Sequence, residues 1–128
     1  MAEFAGSRLR TLVAAPEWRW GMINRQAVHN KHNGHCAYCG KEIDVKEMQV
    51  DHAVPKVNGG TDDFSNLMPS CRRCNHYKRG EDVKHFRQLL TGLILRLRKI
   101  YIYNVALDYG VISEQGWDGK FYFEKGGS

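Results

Sequence analysis

The chain has 128 residues, with 19 Lys and Arg against 14 Asp and Glu, a formal net charge of +5 and a pI of about 9.1. This length favours a single domain over residues 1–128 with a modest core, and the positive charge favours a polyanionic partner. No apolar run reaches the ~18 residues of a membrane span, and the N-terminus has no apolar signal core. We therefore expect a cytoplasmic protein, a setting in which disulfides are rare.

The first predicted element is a helix over residues 24–33, which Gly34 would end because glycine accepts a left-handed conformation. This helix leads into the first of two C-x-x-C pairs. Two such pairs are typical of a structural zinc site with four thiolate ligands and no open position. Buried free thiols or a redox C-x-x-C are the alternatives, although a redox motif would account for one pair only. The four cysteines are Cys36, Cys39, Cys71 and Cys74.

The segment between the two pairs predicts a strand, a loop, a second strand and a short helix. Residues 48–54 suit a strand, and Pro55 ends it because proline donates no ladder hydrogen bond. A second short strand is expected at residues 67–68. A short helix follows over residues 74–79, and Gly80 would end it.

The stretch DHAVPKVNGGTDDFSNLMPSCRRCNHYKRG resembles the HNH endonuclease motif in its McrA-like form with four cysteines. The matching pattern runs from Cys36 to Lys78 and includes D-H-x-x-P, a G-G turn, N-L, the second C-x-x-C, and a following Asn and Lys. The three positions that give the motif its name carry His52, Asn66 and Asn75. This is an H-N-N variant, because Asn75 stands where many relatives have His. The resemblance implies an α+β fold of the ββα-metal type, stapled by zinc.

The resemblance also implies metal-dependent hydrolysis of phosphodiester bonds in DNA, by an endonuclease or a nickase. His52 would be the general base, because imidazoles titrate near neutral pH, and Asn66 would orient it and brace the loop. Asp51 and Asn75 would hold a divalent ion. Since both offer hard oxygen ligands, Mg²⁺ or Mn²⁺ is expected. His76 is the alternative to Asn75 and would admit softer ions such as Zn²⁺.

Several basic residues around the motif are expected to contact nucleic acid. Asp62 and Asp63, in the loop, suit turn formation better than a second metal site. DNA is the expected substrate, and RNA stays open. The alternative function is a non-catalytic, zinc-dependent module that binds nucleic acid, which would need the cysteines but not the motif's polar residues. The expected contacts are Lys56, Arg72, Arg73, Lys78 and Arg79.

Beyond a core at residues 24–80, the C-terminal part is predicted to add an extension of one helix and one strand over residues 81–125. The helix, at 81–101, has apolar residues at spacings of three, four and seven, which predict a core face, with Gly92 as an interruption. The helix has more apolar residues than a small core needs. Two oligomeric states therefore remain open, a monomer or a homodimer through residues 83–97. A bacterial or phage origin suits this motif.

Overall fold

The computed structural model describes residues 23–126, which form an α+β arrangement around a two-stranded antiparallel sheet. The sheet pairs Asp51 with Met68 and His52 with Leu67. One helix precedes the sheet and four follow it, among them the helix directly after the second strand. None of the helices in this part of the chain is long and apolar enough to cross a membrane. In chain order, the elements are α1 (Arg25–Asn30), β1 (Gln49–His52), β2 (Leu67–Ser70), α2 (Arg72–Lys78), α3 (Val83–Thr91), α4 (Leu93–Leu97) and α5 (Tyr101–Asp108).

Helix α1 is shorter than its sequence pattern predicted. The Asn24 side chain accepts a hydrogen bond from the Ala27 amide at 3.0 Å and so caps the N-terminus. After Asn30 the chain continues in turns as far as Gly34, whose φ of 79° favours glycine. Just beyond α1, the Lys31 ammonium donates to the carbonyl oxygens of Phe64, in the turn before β2, and of Leu67, at the start of β2, which fixes this region against the sheet.

The predicted strand, loop, strand and helix are confirmed, with α2 beginning two residues earlier than expected. β2 is buried along its whole length, whereas β1 alternates near its end. Asp51 is buried and His52 is half-buried, as expected when successive side chains point to opposite faces. The sheet therefore presents these two neighbouring polar side chains on different sides of β1.

The core lies between the first cysteine pair and the C-terminal part of the chain. The Tyr38 ring meets the Phe86 and Phe121 rings edge-on, each with centroids 5.3 Å apart. Phe86 and Phe121 stack on each other at 5.3 Å, and all three residues are buried. Such edge and stacked pairs are preferred ring geometries. Residues 81–125 thus contribute directly to the core of this domain.

The prediction of one long helix followed by a strand is wrong for residues 81–125. The helix is interrupted at Gly92 and again at Ile100, whose backbone is extended, so α3, α4 and α5 are separate. Glycine and a β-branched residue both weaken helix continuation. The predicted C-terminal strand is instead a 3-10 turn at Tyr122–Glu124, because its residues pack on the Cys36–Cys39 segment without a neighbouring strand.

The apolar residues of α3 face the core, and the exposed apolar residues lie further along the chain. Val83, Leu89 and Leu90 pack against the buried cluster around Phe86. Leu95 on α4 and Ile102 on α5 are 61% and 72% exposed. An apolar stripe was predicted for residues 83–97. Its first half, on α3, thus packs largely against the core of the domain.

We predict that Glu124→Gln destabilises the fold at neutral pH by about 1 kcal/mol or less, since solvent screens a partly exposed pair. Glu124 accepts two hydrogen bonds from Arg87, at 2.7 and 2.6 Å, and one from the Phe121 amide at 2.8 Å. The hydrogen bonds from Arg87 are the main cause that lowers the pKa of Glu124. Its contribution is therefore complete above the usual glutamate pKa and is lost as pH falls through the lowered folded value.

Urea unfolding of both proteins between pH 7 and pH 4 would measure this difference. The difference in unfolding free energy should shrink as the pH approaches the lower limit. Glu81→Gln is the control, because Glu81 makes no ion pair within residues 23–126. An equal effect of both substitutions would contradict the prediction.

Candidate active site and zinc cluster

The two cysteine pairs meet in space. Their four sulfur atoms all lie within 4.8 Å of one another, and the Sγ atoms of Cys39 and Cys71 are 3.8 Å apart. A tetrahedron with Zn–S bonds of about 2.3 Å has edges of about 3.8 Å. None of the four cysteines forms a disulfide. Hydrogen bonds from the Cys39 and Cys74 thiols lower the pKa of Cys36, and the bond to Cys36 raises the pKa of Cys39 and of Cys74. The donor set and its spacing fit a structural zinc ion.

The cluster also fixes the start of α2. Cys71 is the N-cap residue of this helix, and its Sγ accepts a hydrogen bond from the Cys74 amide at 3.3 Å. The first pair is held against β2, where the Ala37 amide donates to the Pro69 carbonyl at 2.8 Å. A metal ion bound by both pairs would therefore join the segment before β1 to the helix after β2.

The Asp51 carboxylate lies in a buried polar network. Its Oδ2 atom accepts a hydrogen bond from the Tyr38 hydroxyl at 2.5 Å and lies 3.1 Å from the Lys78 ammonium. The side chains of Asp51 and Lys78 are 8% and 1% exposed. Burial, followed by the negative charge of Asp51, raises the pKa of Tyr38. The buried carboxylate is thus satisfied by one neutral and one charged donor.

Lys78 does not lie where the sequence placed it. It was expected to contact nucleic acid, but its ammonium is turned inward and also donates to the carbonyl oxygens of His52, at 3.2 Å, and Glu81. A buried ammonium is more stable next to a buried carboxylate than far from one. Of the five predicted contact residues, the other four are exposed: Lys56, Arg72, Arg73 and Arg79.

Asn75 and His76 lie on different faces of α2. Residues three apart on a helix share a face, so Asn75 shares the face of Lys78, which is directed at Asp51. His76 is exposed and borders an apolar groove lined also by Tyr77 and Trp117. The helix geometry therefore favours Asn75 over His76 for the side of α2 that faces the Asp51 carboxylate.

At the end of β1, His52 is held by the loop that joins the strands. Its Nε2 atom is 2.7 Å from Oδ1 of Asp62, and the Lys56 ammonium lies 3.0 Å from Oδ2 of the same carboxylate. The hydrogen bond with His52, and then that with Lys56, lowers the pKa of Asp62. The structure thus brings together an imidazole, a carboxylate and an ammonium on one side of the sheet.

Asn66 braces this loop through backbone groups. Its side-chain oxygen accepts from the Val54 amide at 2.9 Å, and its side-chain nitrogen donates to the carbonyls of Val54, at 3.0 Å, and Thr61, at 2.8 Å. The loop is compact at Gly60, where a Cβ atom would lie 1.7 Å from the Val54 carbonyl oxygen. Asn66 therefore occupies the expected bracing position, whereas the side chain bonded to the His52 ring is that of Asp62.

The HNH endonuclease family model matches residues 36–81, the segment that contains both cysteine pairs, both strands and α2. Residues 36–81 are therefore similar to HNH endonucleases. The CRISPR-associated endonuclease Cas9 of Corynebacterium diphtheriae is 39% identical over 62 residues, which are 48% of this chain and 5% of that protein. The crystal structure of the Type II-C Cas9 enzyme from Actinomyces naeslundii is similar, with a TM-score of 0.49 and 27% identity, over 63% of this chain and 10% of that chain. The chain thus spans a small part of either relative.

Two residues of the HNH segment escaped the sequence analysis. Tyr38 lies between the cysteines of the first pair, where the sequence gives no sign that its hydroxyl reaches Asp51. Asp62 was interpreted as a turn former together with Asp63. Asp63 does have that role, because its carboxylate accepts a hydrogen bond from the Thr61 hydroxyl at 2.9 Å. The only signal in the sequence for this contact is that Asp62 lies ten residues after His52.

Loss of a zinc ligand should unfold much of the HNH segment, because the free energy of metal binding is here also folding free energy. We predict that Cys36→Ala binds less than one zinc ion per chain and loses its cooperative thermal transition. Elemental analysis and circular dichroism would measure both properties. Lys41→Ala, an exposed change close to the cluster, is the control and should keep its zinc. A folded, zinc-loaded Cys36→Ala variant would contradict the four-thiolate assignment.

Removal of Lys78 should be costly, since the buried Asp51 side chain would lose its charged partner. We predict that Lys78→Met lowers the free energy of unfolding by about 3–5 kcal/mol. Arg73→Met, an exposed change on the same helix, should have little effect. Lys78→Met combined with Asp51→Asn should recover part of the loss, because the uncompensated charge is gone. Urea unfolding of the four proteins would measure these values, and a small loss in Lys78→Met would contradict the role of the pair.

Proposed function

We propose that this protein is a metal-dependent nuclease that hydrolyses phosphodiester bonds in DNA. The observation that carries the proposal is the arrangement at the end of β1. There a buried carboxylate, Asp51, faces α2, and the next residue, His52, presents an imidazole that reaches solvent. The match of residues 36–81 to the HNH endonuclease family supports the same chemistry, and so does the similarity to the Cas9 endonuclease.

In the proposed reaction, His52 accepts a proton from a water molecule beside the scissile phosphate. The water oxygen forms a new bond to phosphorus while the bond from phosphorus to one bridging sugar oxygen breaks. That oxygen leaves as a hydroxyl after it takes a proton from solvent, and the other product is a phosphate monoester. The protonated imidazole returns its proton to solvent, so the only co-reactant is water.

The donor set around Asp51 fits a divalent cation. Oδ2 is occupied by Tyr38 and Lys78, but Oδ1 has only a long contact of 3.4 Å to Lys78 and keeps acceptor capacity. The Lys78 ammonium already compensates this carboxylate, so a divalent ion at Oδ1 would share Asp51 with it. Asp51 and Asn75 would supply hard oxygen ligands of the kind that Mg²⁺ or Mn²⁺ prefers. When bound, the ion would neutralise charge on the phosphate and on the leaving oxygen.

Exposed basic side chains near the site would bind the phosphate backbone. Arg72, Arg73 and Arg79 are exposed on or directly after α2, and Lys56 is exposed in the loop beside His52. Such contacts give binding that weakens with salt and does not depend on sequence. Lys78 is not included, because its ammonium is buried. The charge of this surface suits DNA and RNA alike, so both belong in the test.

We further propose that residues 24–80 are the catalytic core and that residues 81–125 are an extension of the same domain. The packing of Phe86 and Phe121 on Tyr38 supports this division into one domain rather than two. One site of this kind has one base and would cut one strand in each binding event. We therefore propose a monomer that nicks DNA, with the homodimer as the state to test.

His52→Ala should lower the rate of plasmid nicking by roughly 10²–10⁴-fold, the usual contribution of general acid–base catalysis. The assay follows supercoiled plasmid with Mg²⁺, with Mn²⁺ and with EDTA, and a labelled RNA is tested in parallel. His85→Ala is the control, because His85 is exposed on α3. Wild-type protein that binds DNA but cleaves nothing with any metal would favour the non-catalytic binding module. Near wild-type activity of His52→Ala would remove His52 from the mechanism.

The same assay separates the two candidate ligands on α2. Asn75→Ala should abolish nicking with Mg²⁺, whereas His76→Ala should keep most of it, because His76 lies on the other face of the helix. The reverse result, with strong activity in Zn²⁺, would assign the ligand role to His76. Linear product without a nicked intermediate would indicate a dimer.

A further inference from the structure

The hydrogen bond between His52 and Asp62 determines which ring nitrogen carries the proton. An ionised carboxylate only accepts hydrogen bonds, so Nε2 of His52 must be the donor at 2.7 Å. In a neutral imidazole the other nitrogen, Nδ1, then has the free lone pair. Within residues 23–126 no protein group bonds to Nδ1, and this atom is not among the buried polar atoms that lack a partner. Nδ1 therefore faces solvent.

The loop holds the Asp62 carboxylate in this position from three directions. The Lys56 ammonium pairs with its second oxygen at 3.0 Å. The Gly60 amide donates to the Pro55 carbonyl at 2.9 Å and closes the loop just before it. The Asn66 side chain donates to the Thr61 carbonyl at 2.8 Å, one residue before Asp62. The carboxylate is thus fixed relative to the end of β1, although it lies near the surface.

We infer that Asp62 is a positioning residue for His52, which holds the imidazole as the Nε2-protonated tautomer and directs Nδ1 towards the attacking water. This inference rests on the proposed function. In the reaction the water proton passes to Nδ1, and the positive charge that forms on the ring is stabilised by the carboxylate at Nε2. Loss of a carboxylate that orients a metal-ligating histidine typically lowers activity by about 10–100-fold, and we expect a loss of similar size here.

The alternative is that the three side chains form an ordinary surface ion pair. The side chains of His52, Asp62 and Lys56 are 24%, 36% and 60% exposed, and such pairs contribute little to stability. Removal of Asp62 should therefore leave the melting temperature nearly unchanged. A loss of catalytic rate could then not be assigned to unfolding, which makes the two readings separable.

The test uses the full chain with three substitutions, Asp62→Ala, Asp62→Asn and, as a matched control, Asp63→Ala from the same loop. Single-turnover nicking with Mg²⁺, with protein in saturating excess over DNA, gives the rate, and titration with DNA without added Mg²⁺ gives the affinity. Nitrogen-15 spectra of the imidazoles give the tautomer, and His52→Gln identifies the signals of His52. Melting curves show that each variant is folded.

We expect Asp62→Ala to lower the saturated rate by about 10–100-fold, with little change in DNA affinity, and to convert His52 to a mixture of tautomers. Asp62→Asn keeps an acceptor oxygen, so its rate should lie between those of Asp62→Ala and the wild type. Asp63→Ala should resemble the wild type in all respects.

Three results would overturn the inference. The first is an unchanged His52 tautomer in Asp62→Ala, and the second is a rate in Asp62→Ala within about twofold of an active wild type. An equal loss in Asp63→Ala would also overturn it, since the effect would then belong to the loop as a whole. Wild-type protein without nuclease activity would instead refute the proposed function, and the tautomer comparison would still decide the position of Asp62.

Discussion

A buried carboxylate must be compensated, and the fold is arranged around that requirement at Asp51. The two donors come from different parts of the chain, Tyr38 from the first cysteine pair and Lys78 from the end of α2. Neither donor would lie within reach without the packing of both segments on β1. Breaking such a buried pair is costly, so the position of Asp51 depends on the strand, the helix and the cysteine pair together.

The cysteine cluster and the C-terminal extension both act on the site through Tyr38. Its neighbours Cys36 and Cys39 belong to the cluster, its ring packs on Phe86 and Phe121, and its hydroxyl bonds to Asp51. A metal ion in the cluster would hold this residue from one end, and the aromatic core holds it from the other. The extension therefore supports the site although it supplies none of its predicted catalytic or metal-binding side chains.

The ββα part of the fold could be predicted from the sequence because its signals are local. Pro55, Gly80 and the spacing of the cysteines mark the ends of elements, and the hydrophobic pattern gives the strands. The C-terminal part could not, because the break at Gly92 and the 3-10 turn near Phe121 depend on packing against distant residues.

In the candidate site, too, some features could be predicted from the sequence and others could not. Asp51, His52 and Asn66 were expected from the motif, and the structure places them at the end of β1 and in its loop. The inward direction of Lys78 and the pairing of Asp62 with His52 were not expected. A charged residue within a basic sequence gives no indication of whether it faces solvent or a buried partner of opposite charge, since that depends on which strand lies beneath the helix.

The two adjacent glycines of the loop constrain its evolution unequally. At Gly59 an added Cβ atom would meet nothing within 4 Å, although the φ of 92° favours glycine, so asparagine is a tolerable replacement there. At Gly60 the same atom would overlap the Val54 carbonyl oxygen at 1.7 Å, and no side chain fits without a shift of the backbone. In a library of random variants, position 59 should therefore accept an occasional asparagine, while position 60 should stay glycine in every folded member.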